Sequence, residues 1–512
     1  MKLNCNERKQ FMMKMILAAA LIFPCASYAG NTVHAETAEE TAENTEKEGS
    51  LSVVKSEHSV SIGGKQYRYT AETGGMEVLS GGEKCEIFYT SYTLNDSDPV
   101  NQRPVTFAFN GGPGCASIYL HMGMLGPRRM DLDETGNPKQ LPTDLIDNEY
   151  SILDLTDLVF IDPVGTGYSH ALEGSDETNF LGYKNDCRTV GDFIRQYVNR
   201  NNRWSSPKYL IGESYGTTRA AGVARYLDDT YSMSLNGIMM LSSANDFGSL
   251  NFETGNDLPY GLFLPSYAAV SWYHKKLNQK YLDMELATFL DEVRTFAGGD
   301  YQAALFKGRR LTAREKETTA EKLAEYTGLS KDYILKKNLR ITEDQYCTEL
   351  FADENKTVGR IDGRFIGPST GTELGDGSAD PSEYETDAAF SSALNRYLTE
   401  ELGYQTDIPY LVQNPALEGK WTFQGENVKL AQEDILYKTI SKNSHLKVWV
   451  MCGYYDLATP FFCAEWTYDH IFLNEENAHQ LQFTYYPSGH MIYLNQESLA
   501  QFKEEAKVWY QN

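Results

Sequence analysis

Ser214 sits between two glycines in Gly212-Glu213-Ser214-Tyr215-Gly216, directly after the apolar run Tyr209-Leu210-Ile211 and before a helix-compatible stretch, Thr217 to Leu227. A strand that ends in a glycine-flanked serine, with a helix starting at once, makes the strained turn that lifts a hydroxyl out of a sheet as a nucleophile. The five-residue pattern is not sufficient by itself. Gly367-Pro368-Ser369-Thr370-Gly371 fits it too, but Glu373, Gly375, Asp376, Gly377 and Asp380 follow, a loop composition with no helix start. Context selects Ser214.

A serine hydroxyl attacks an acyl carbon only if a histidine takes its proton and an acid holds that histidine in the right tautomer. In sheet-based hydrolases both partners follow the serine, acid first. Leu446 to Cys452 reads as a buried strand, and Gly453-Tyr454-Tyr455-Asp456 turns out of its end. Leu481 to Tyr486 reads as the next strand, and Pro487-Ser488-Gly489-His490 turns out of that. Asp456 and His490 therefore lie on loops at the carboxyl ends of strands, where open α/β sheets bind ligands. His470 falls in a helical pattern and His479 in a polar loop, so His490 is the expected base. The oxyanion formed in acyl transfer needs backbone N–H donors. Asn110-Gly111-Gly112-Pro113-Gly114-Cys115, after the strand-like Phe107-Ala108-Phe109, is a loop able to bring such donors close.

Taken together, Asn110 to Cys115, Phe160-Ile-Asp-Pro-Val-Gly-Thr-Gly-Tyr-Ser169, Gly212 to Gly216, Gly453 to Asp456 and Gly489-His-Met491 resemble the serine carboxypeptidase family, in the family's order. The resemblance implies an α/β-hydrolase fold with Ser214 as nucleophile, His490 as base and Asp456 as its orienter, and oxyanion donors on the N–H of Gly112 and Tyr215. It also implies that Asn110, Gly111 and Glu213 hold the substrate's terminal carboxylate. Two like charges at hydrogen-bond distance repel, so a glutamate binds a carboxylate only if one of them is protonated. An acidic optimum for peptidase activity follows.

Two departures stand out. Family members that cleave C-terminal residues typically have a second glutamate before Leu-Gly-Pro, where this chain has Met124 in Gly123-Met124-Leu125-Gly126-Pro127. Arg128 and Arg129 follow directly, and a guanidinium there would compensate by binding a carboxylate bidentately; solvated surface arginines are the competing reading. Ala108 stands where the family commonly has tryptophan.

The elements needed to position these residues are visible along the chain. Residues 51 to 109 alternate apolar and polar with glycine punctuation, as antiparallel hairpins leading into a sheet. Leu158 to Ile161 and Gly237 to Ser242 read as strands, Asn179 to Val198 as a helix, and Asp162, ahead of the serine, as structural. Glu285 to Ala297, Ala313 to Tyr326 and Asp387 to Leu402 have helical periodicity. The chain thus divides into a first core segment, 51–264, a helical cap insertion, 265–400, and a second core segment, 401–512.

The 512 residues, 41% hydrophobic and 12% aromatic, suffice for a large core. Lys2, Arg8, Lys9 and Lys14 precede the apolar run Met15 to Pro24, the layout of a secretory signal peptide, with cleavage after Ala29 or, as we favour, Ala35. That run is too short to remain as a transmembrane span. Glu36 to Ser50 is an acidic leader expected to be disordered. Losing residues 1–35 removes four basic residues and one acidic one and takes the formal charge from −25 to −28, a balance that repels nucleic acid and anionic lipid. Cys85, Cys115, Cys187, Cys347, Cys452 and Cys463 remain, as three disulfides or as buried thiols. No pair has zinc-ligand spacing and no phosphate loop or dinucleotide fingerprint occurs, so the expected mechanism needs no metal or cofactor. The chain is expected to be a secreted or envelope hydrolase acting on peptide C-termini. An esterase or acyltransferase with the same triad is the catalytic alternative, and a noncatalytic binding protein on a hydrolase scaffold the other.

Overall fold

A computed structural model describes residues 51–95, 102–369, 380–384, 386–417, 419–423 and 431–511. The segments expected to form a signal peptide and an acidic leader lie outside the described residues, as do Thr370 and Gly371 of the second Gly-x-Ser-x-Gly motif. Ser369 follows a short antiparallel pair, Lys356–Val358 with Ile366–Pro368, and no helix follows it directly among the described residues.

The main sheet has ten strands. Three long ones form an antiparallel meander: β1 (Val53–Ile62), β2 (Lys65–Ser80) and β3 (Glu83–Leu94). The two-residue strand His170–Ala171 pairs with β3. The rest are β4 (Val105–Phe109), β5 (Asp157–Ile161), β6 (Lys208–Glu213), β7 (Gly237–Leu241), β8 (Lys447–Gly453) and β9 (Leu481–Tyr486). Spatial order is β1-β2-β3-β5-β4-β6-β7-β8-β9, and from β5 onward every neighbouring pair is parallel.

Burial on both faces explains why the central strands read as unbroken apolar runs. Their alternation survives as a choice between two cores. Phe107, Leu210, Ile238, Met240, Val448 and Val450 face one side, while Ala108, Ile211, Met239, Leu241, Trp449 and Met451 face the other. Helices α1 (Tyr183–Arg200) and α2 (Tyr215–Tyr231) cover the first face through Val190, Phe193, Ala220 and Leu227. The C-terminal helix Gln496–Gln511 covers the second through Leu499, Phe502 and Trp509. Helix α1 begins at Tyr183 rather than at Asn179, because Glu177–Asn179 forms a separate turn capped by Asp176 and Gly182, with φ 85°, breaks the path between them.

Between β7 and β8 the chain leaves the sheet for about two hundred residues. This insertion is mainly helical, with α3 (Leu258–Tyr273), α4 (Leu286–Phe296), α5 (Ala313–Thr327) and α6 (Thr386–Arg396) its larger elements. It begins earlier than the charge-rich stretch at 265 because α3 is almost wholly apolar and packs into the first core, so its composition looks like the sheet's. Helix α5 starts at a capping box, Thr312 with Glu315, and stops at Gly328, whose φ of 70° few other residues adopt cheaply. Residues 411–417 return as a strap over the loop after β4, with Ala116 N–H donating to the Val412 carbonyl and Asn414 N–H to that of Gly114. All six cysteines in the described residues are free and buried, which resolves the disulfide question in favour of thiols. Among the described residues no helix is long and apolar enough to cross a membrane.

Candidate active site

Ser214 links β6 to α2 with φ 59° and ψ −129°, a backbone region that costs a non-glycine residue about 1–3 kcal/mol. Its flanking glycines have a steric cause. A Cβ on Gly212 would stand 2.1 Å from the Gly216 carbonyl oxygen, and one on Gly216 would stand 2.8 Å from that of Phe109. Both clashes are with backbone, which cannot swing aside. Ser214 N–H donates to the Leu241 carbonyl of β7 and the Ser214 carbonyl accepts from Thr217 N–H, so the turn is pinned on both sides. The hydroxyl makes no helix cap and borders a cavity.

Asp456 leaves the end of β8 and is fully buried. Its Oδ2 lies 2.9 Å from His490 Nδ1. Its Oδ1 accepts the N–H groups of Ala458 and Thr459 at 2.8 Å each, and the Thr459 hydroxyl donates to Oδ2 at 2.7 Å. Burial raises the Asp456 pKa, but His490 and these donors outweigh it and hold the carboxyl below its ordinary range. Burial likewise opposes a charged His490, yet Asp456 and Glu213 keep its pKa above 6.5. Sequence reading missed Thr459, whose hydroxyl meets Asp456 only once the loop after β8 is folded.

The His490 loop is held from two directions. Its N–H donates to the Ile361 carbonyl at 2.7 Å, and its carbonyl accepts from the Ser242 hydroxyl at 2.6 Å. Gly489 N–H donates to Asp362, whose carboxylate is paired with Arg364. Nδ1 is engaged by Asp456, so Nε2 is the nitrogen left for a nucleophile, and His490 and Ser214 line one cavity. His470 and His479 do not line it.

The glycine loop packs backbone to backbone on the serine turn: a Cβ on Gly111 would stand 2.6 Å from Tyr215 N and 2.7 Å from the Glu213 carbonyl oxygen. Gly112, with φ 98°, is thereby brought beside the first turn of α2. Among the described residues, neither Gly112 N–H nor Tyr215 N–H donates to a protein acceptor. A buried ion pair unites the two segments. Arg219 of α2 binds Asp186 of α1 at 2.8 Å and also donates to the Asn110 carbonyl, while the Tyr215 hydroxyl donates to Asp186. Asp162 is structural here, accepting from Ser117 N–H and the Tyr410 hydroxyl. The cavity measures about 820 Å³ and is walled by the glycine loop, the strap, and Arg360, Glu383 and Asp387 from the insertion.

The sequence pattern of the serine carboxypeptidase family matches residues 66–505. The chain belongs to that family. Among curated relatives, serine carboxypeptidase-like 5 of Arabidopsis thaliana is 28% identical over 29% of this chain and 32% of its own length. Serine carboxypeptidase-like 8 of the same plant is 24% identical over 38% of this chain and 43% of its own. The matches to these first relatives therefore span only about a third to two fifths of their length. The crystal structure of Kex1(delta)p, a prohormone-processing carboxypeptidase from Saccharomyces cerevisiae, superposes with a TM-score of 0.56 at 16% identity, covering 86% of this chain and 91% of that one. That likeness concerns the fold, which is the α/β-hydrolase fold expected from the motifs.

Of the positions that serine carboxypeptidase resemblance marks for a substrate carboxylate, Asn110, Gly111 and Glu213 all border the cavity. Asn110 Nδ2 donates to Glu213 Oε2, and its Oδ1 accepts from Leu120 N–H. Burial is the main cause that pushes the Glu213 carboxyl up to about 7. The expected compensation by arginine does not hold. Arg128 is bonded to Glu401 and Asp147, Arg129 is buried over the Tyr150 ring, and neither borders the cavity. Both sit on a short strand, Arg128–Met130, that carries them away from the serine. Met124 and Ala108 are fully buried and do not line the cavity either. Among the described lining residues the arginine is Arg360, from the insertion.

Proposed function

We propose that the protein is an exported serine carboxypeptidase that removes the C-terminal residue of peptides through an acyl-enzyme on Ser214. The observation that carries this reading is the single cavity shared by Ser214, by His490 paired to Asp456, and by Asn110 with a buried Glu213. His490 Nε2 takes the Ser214 proton as Oγ attacks the terminal peptide carbonyl, and Asp456 stabilises the imidazolium that results. The N–H groups of Gly112 and Tyr215 receive the oxyanion, an interaction worth about 10²–10³ in kcat per donor. His490 then protonates the leaving amine, and water repeats the sequence in reverse to free the acyl group.

Asn110 Nδ2, the Gly111 backbone and neutral Glu213 bind the terminal carboxylate. Glu213 loses its proton near pH 7, so peptide binding weakens above that pH. His490 must be neutral to act as base, so turnover falls below its raised pKa. Peptidase activity is thus confined to a window whose upper edge is set by Glu213, and a substrate without a carboxylate escapes that edge. Export is supported by the basic residues and apolar run at the start of the chain.

Esterase or acyltransferase chemistry on the same triad is the second reading, favoured by Met124 where the family's second acid is expected. The two are separated by comparing a blocked dipeptide with an alkyl ester of the same acyl group across pH. Carboxypeptidase action gives dipeptide hydrolysis that declines above about pH 7 while ester hydrolysis does not; an enzyme that turns over the ester alone overturns the proposal. Ser214→Ala abolishes both activities, and a fluorophosphonate labels Ser214 if the site is catalytic.

A further inference from the structure

Glu213 is 2% exposed, borders the cavity, and has no cation within ion-pair distance among the described residues. Two donors hold it. Asn110 Nδ2 reaches Oε2, and the Tyr493 hydroxyl lies 2.9 Å from both Oε1 and Oε2. Tyr493 stands three residues beyond His490 on the short helical turn Ile492–Leu494 and is 1% exposed. Its ring packs against Gly123, where a Cβ would stand 2.5 Å from Cδ2, and Phe390 of α6 lies edge-on at 6.4 Å. Any larger residue at 123 would push the phenol off Glu213.

We propose that Tyr493 is a positioning residue for the substrate carboxylate, locking the plane of the Glu213 carboxyl by adding a second donor to the one from Asn110. The proposal rests on the carboxypeptidase reading above. A carboxyl turns about its last torsion with only a broad two-fold preference, so one donor from Asn110 leaves its orientation loose. A second donor, centred between both oxygens, fixes it. A phenol is suited to this task because it never competes for the proton: burial and the neighbouring Glu213 hold its pKa well above 10. A second carboxyl would titrate in the same range as Glu213; the phenol leaves the site with one titrating proton. The other ionisable groups around the pair are His490 and Asp456 from the loops after β9 and β8, Cys115 from the glycine loop, and Tyr119 beyond it. Since a donor bonds more strongly to an ionised than to a neutral carboxyl, Tyr493 also moderates the effect of burial on Glu213.

The test is the ratio of kcat/KM for a blocked dipeptide to that for the matching alkyl ester, measured against pH in the unsubstituted protein, Tyr493→Phe, Glu213→Gln and the double variant. In the unsubstituted protein the ratio falls with a midpoint near 7. Tyr493→Phe moves that midpoint upward by about one pH unit, and lowers the acid-side ratio several-fold through KM, as expected for one lost bond to a charged group. In the Glu213→Gln background the midpoint disappears and Tyr493→Phe has no pH-dependent effect left to exert. A midpoint unmoved by Tyr493→Phe overturns the proposal. So does a parallel loss on both substrates with a lowered melting temperature, which would mark a purely structural tyrosine. Ester turnover without dipeptide turnover in the unsubstituted protein would instead refute the carboxypeptidase reading itself.

Discussion

Asp456→Asn keeps the shape of the side chain beside His490 while removing its charge and presenting an amide to Nδ1. We expect kcat to fall by about 10⁴-fold, because the imidazole is then held in the wrong tautomer and its charged form loses its counterion. Steady-state kinetics on an ester substrate measures this without involving the carboxylate site. Thr459→Val keeps the backbone N–H to Asp456 but deletes the hydroxyl donor, and a loss of about tenfold in kcat corresponds to one hydrogen bond of this kind. Ser214, Asp456 and His490, the proposed triad, could be singled out in the sequence because each stands at a strand end with glycine close by, and the glycines have backbone clashes to answer for. Thr459, Arg219 and Tyr493 were not legible as site residues. Nothing local distinguishes a threonine, a helical arginine or a tyrosine in an apolar turn until the fold brings the distant partner to it.

Two packing features behind the serine turn bear on the proposed oxyanion donors, the N–H groups of Gly112 and Tyr215. Gly216→Ala would place a Cβ 2.8 Å from the Phe109 carbonyl oxygen and 3.0 Å from that of Asn110, so the glycine loop must move off α2. Activity on any acyl substrate is expected to drop by at least about 10²-fold with the chain still folded, as seen by circular dichroism and turnover together. Asp186→Ala removes the partner of Arg219, which is fully buried, and leaves that charge unpaired; a loss of about 3–5 kcal/mol in chemical denaturation is expected. At this scale the sequence was informative about the parallel strands, whose short apolar runs bounded by glycine fit a sheet buried on both faces, and about the serine-bearing turn. It was less informative about where the insertion begins, because α3 buries nearly its whole circumference and so imitates the core it packs on.

Across the described residues several buried or half-buried carboxyls carry pKa values raised chiefly by desolvation: Glu213 and Glu383 to about 7 and Asp162 to about 6. A group whose folded pKa exceeds its unfolded value stabilises the fold below the unfolded value and loses that contribution as pH rises through the folded one. These groups therefore favour the folded state at about pH 4 to 5 and cease to do so by about pH 7, while the depressed Asp456 acts in the opposite sense only at lower pH. The melting temperature is expected to rise by several degrees from about pH 8 to about pH 5; calorimetry showing a fall would contradict this. With all six cysteines of the described residues free, adding a reductant should leave that temperature unchanged.

The main-chain bond from His490 to Ile361, with Gly489 and Ser488 reaching Asp362 and Arg364, means that the proposed general base is moored to the insertion as well as to the sheet. A chimera that exchanges this region for that of another hydrolase must therefore preserve the short segment 361–364 or inherit a correctly folded but idle catalyst. At this one point the insertion buttresses the proposed proton relay.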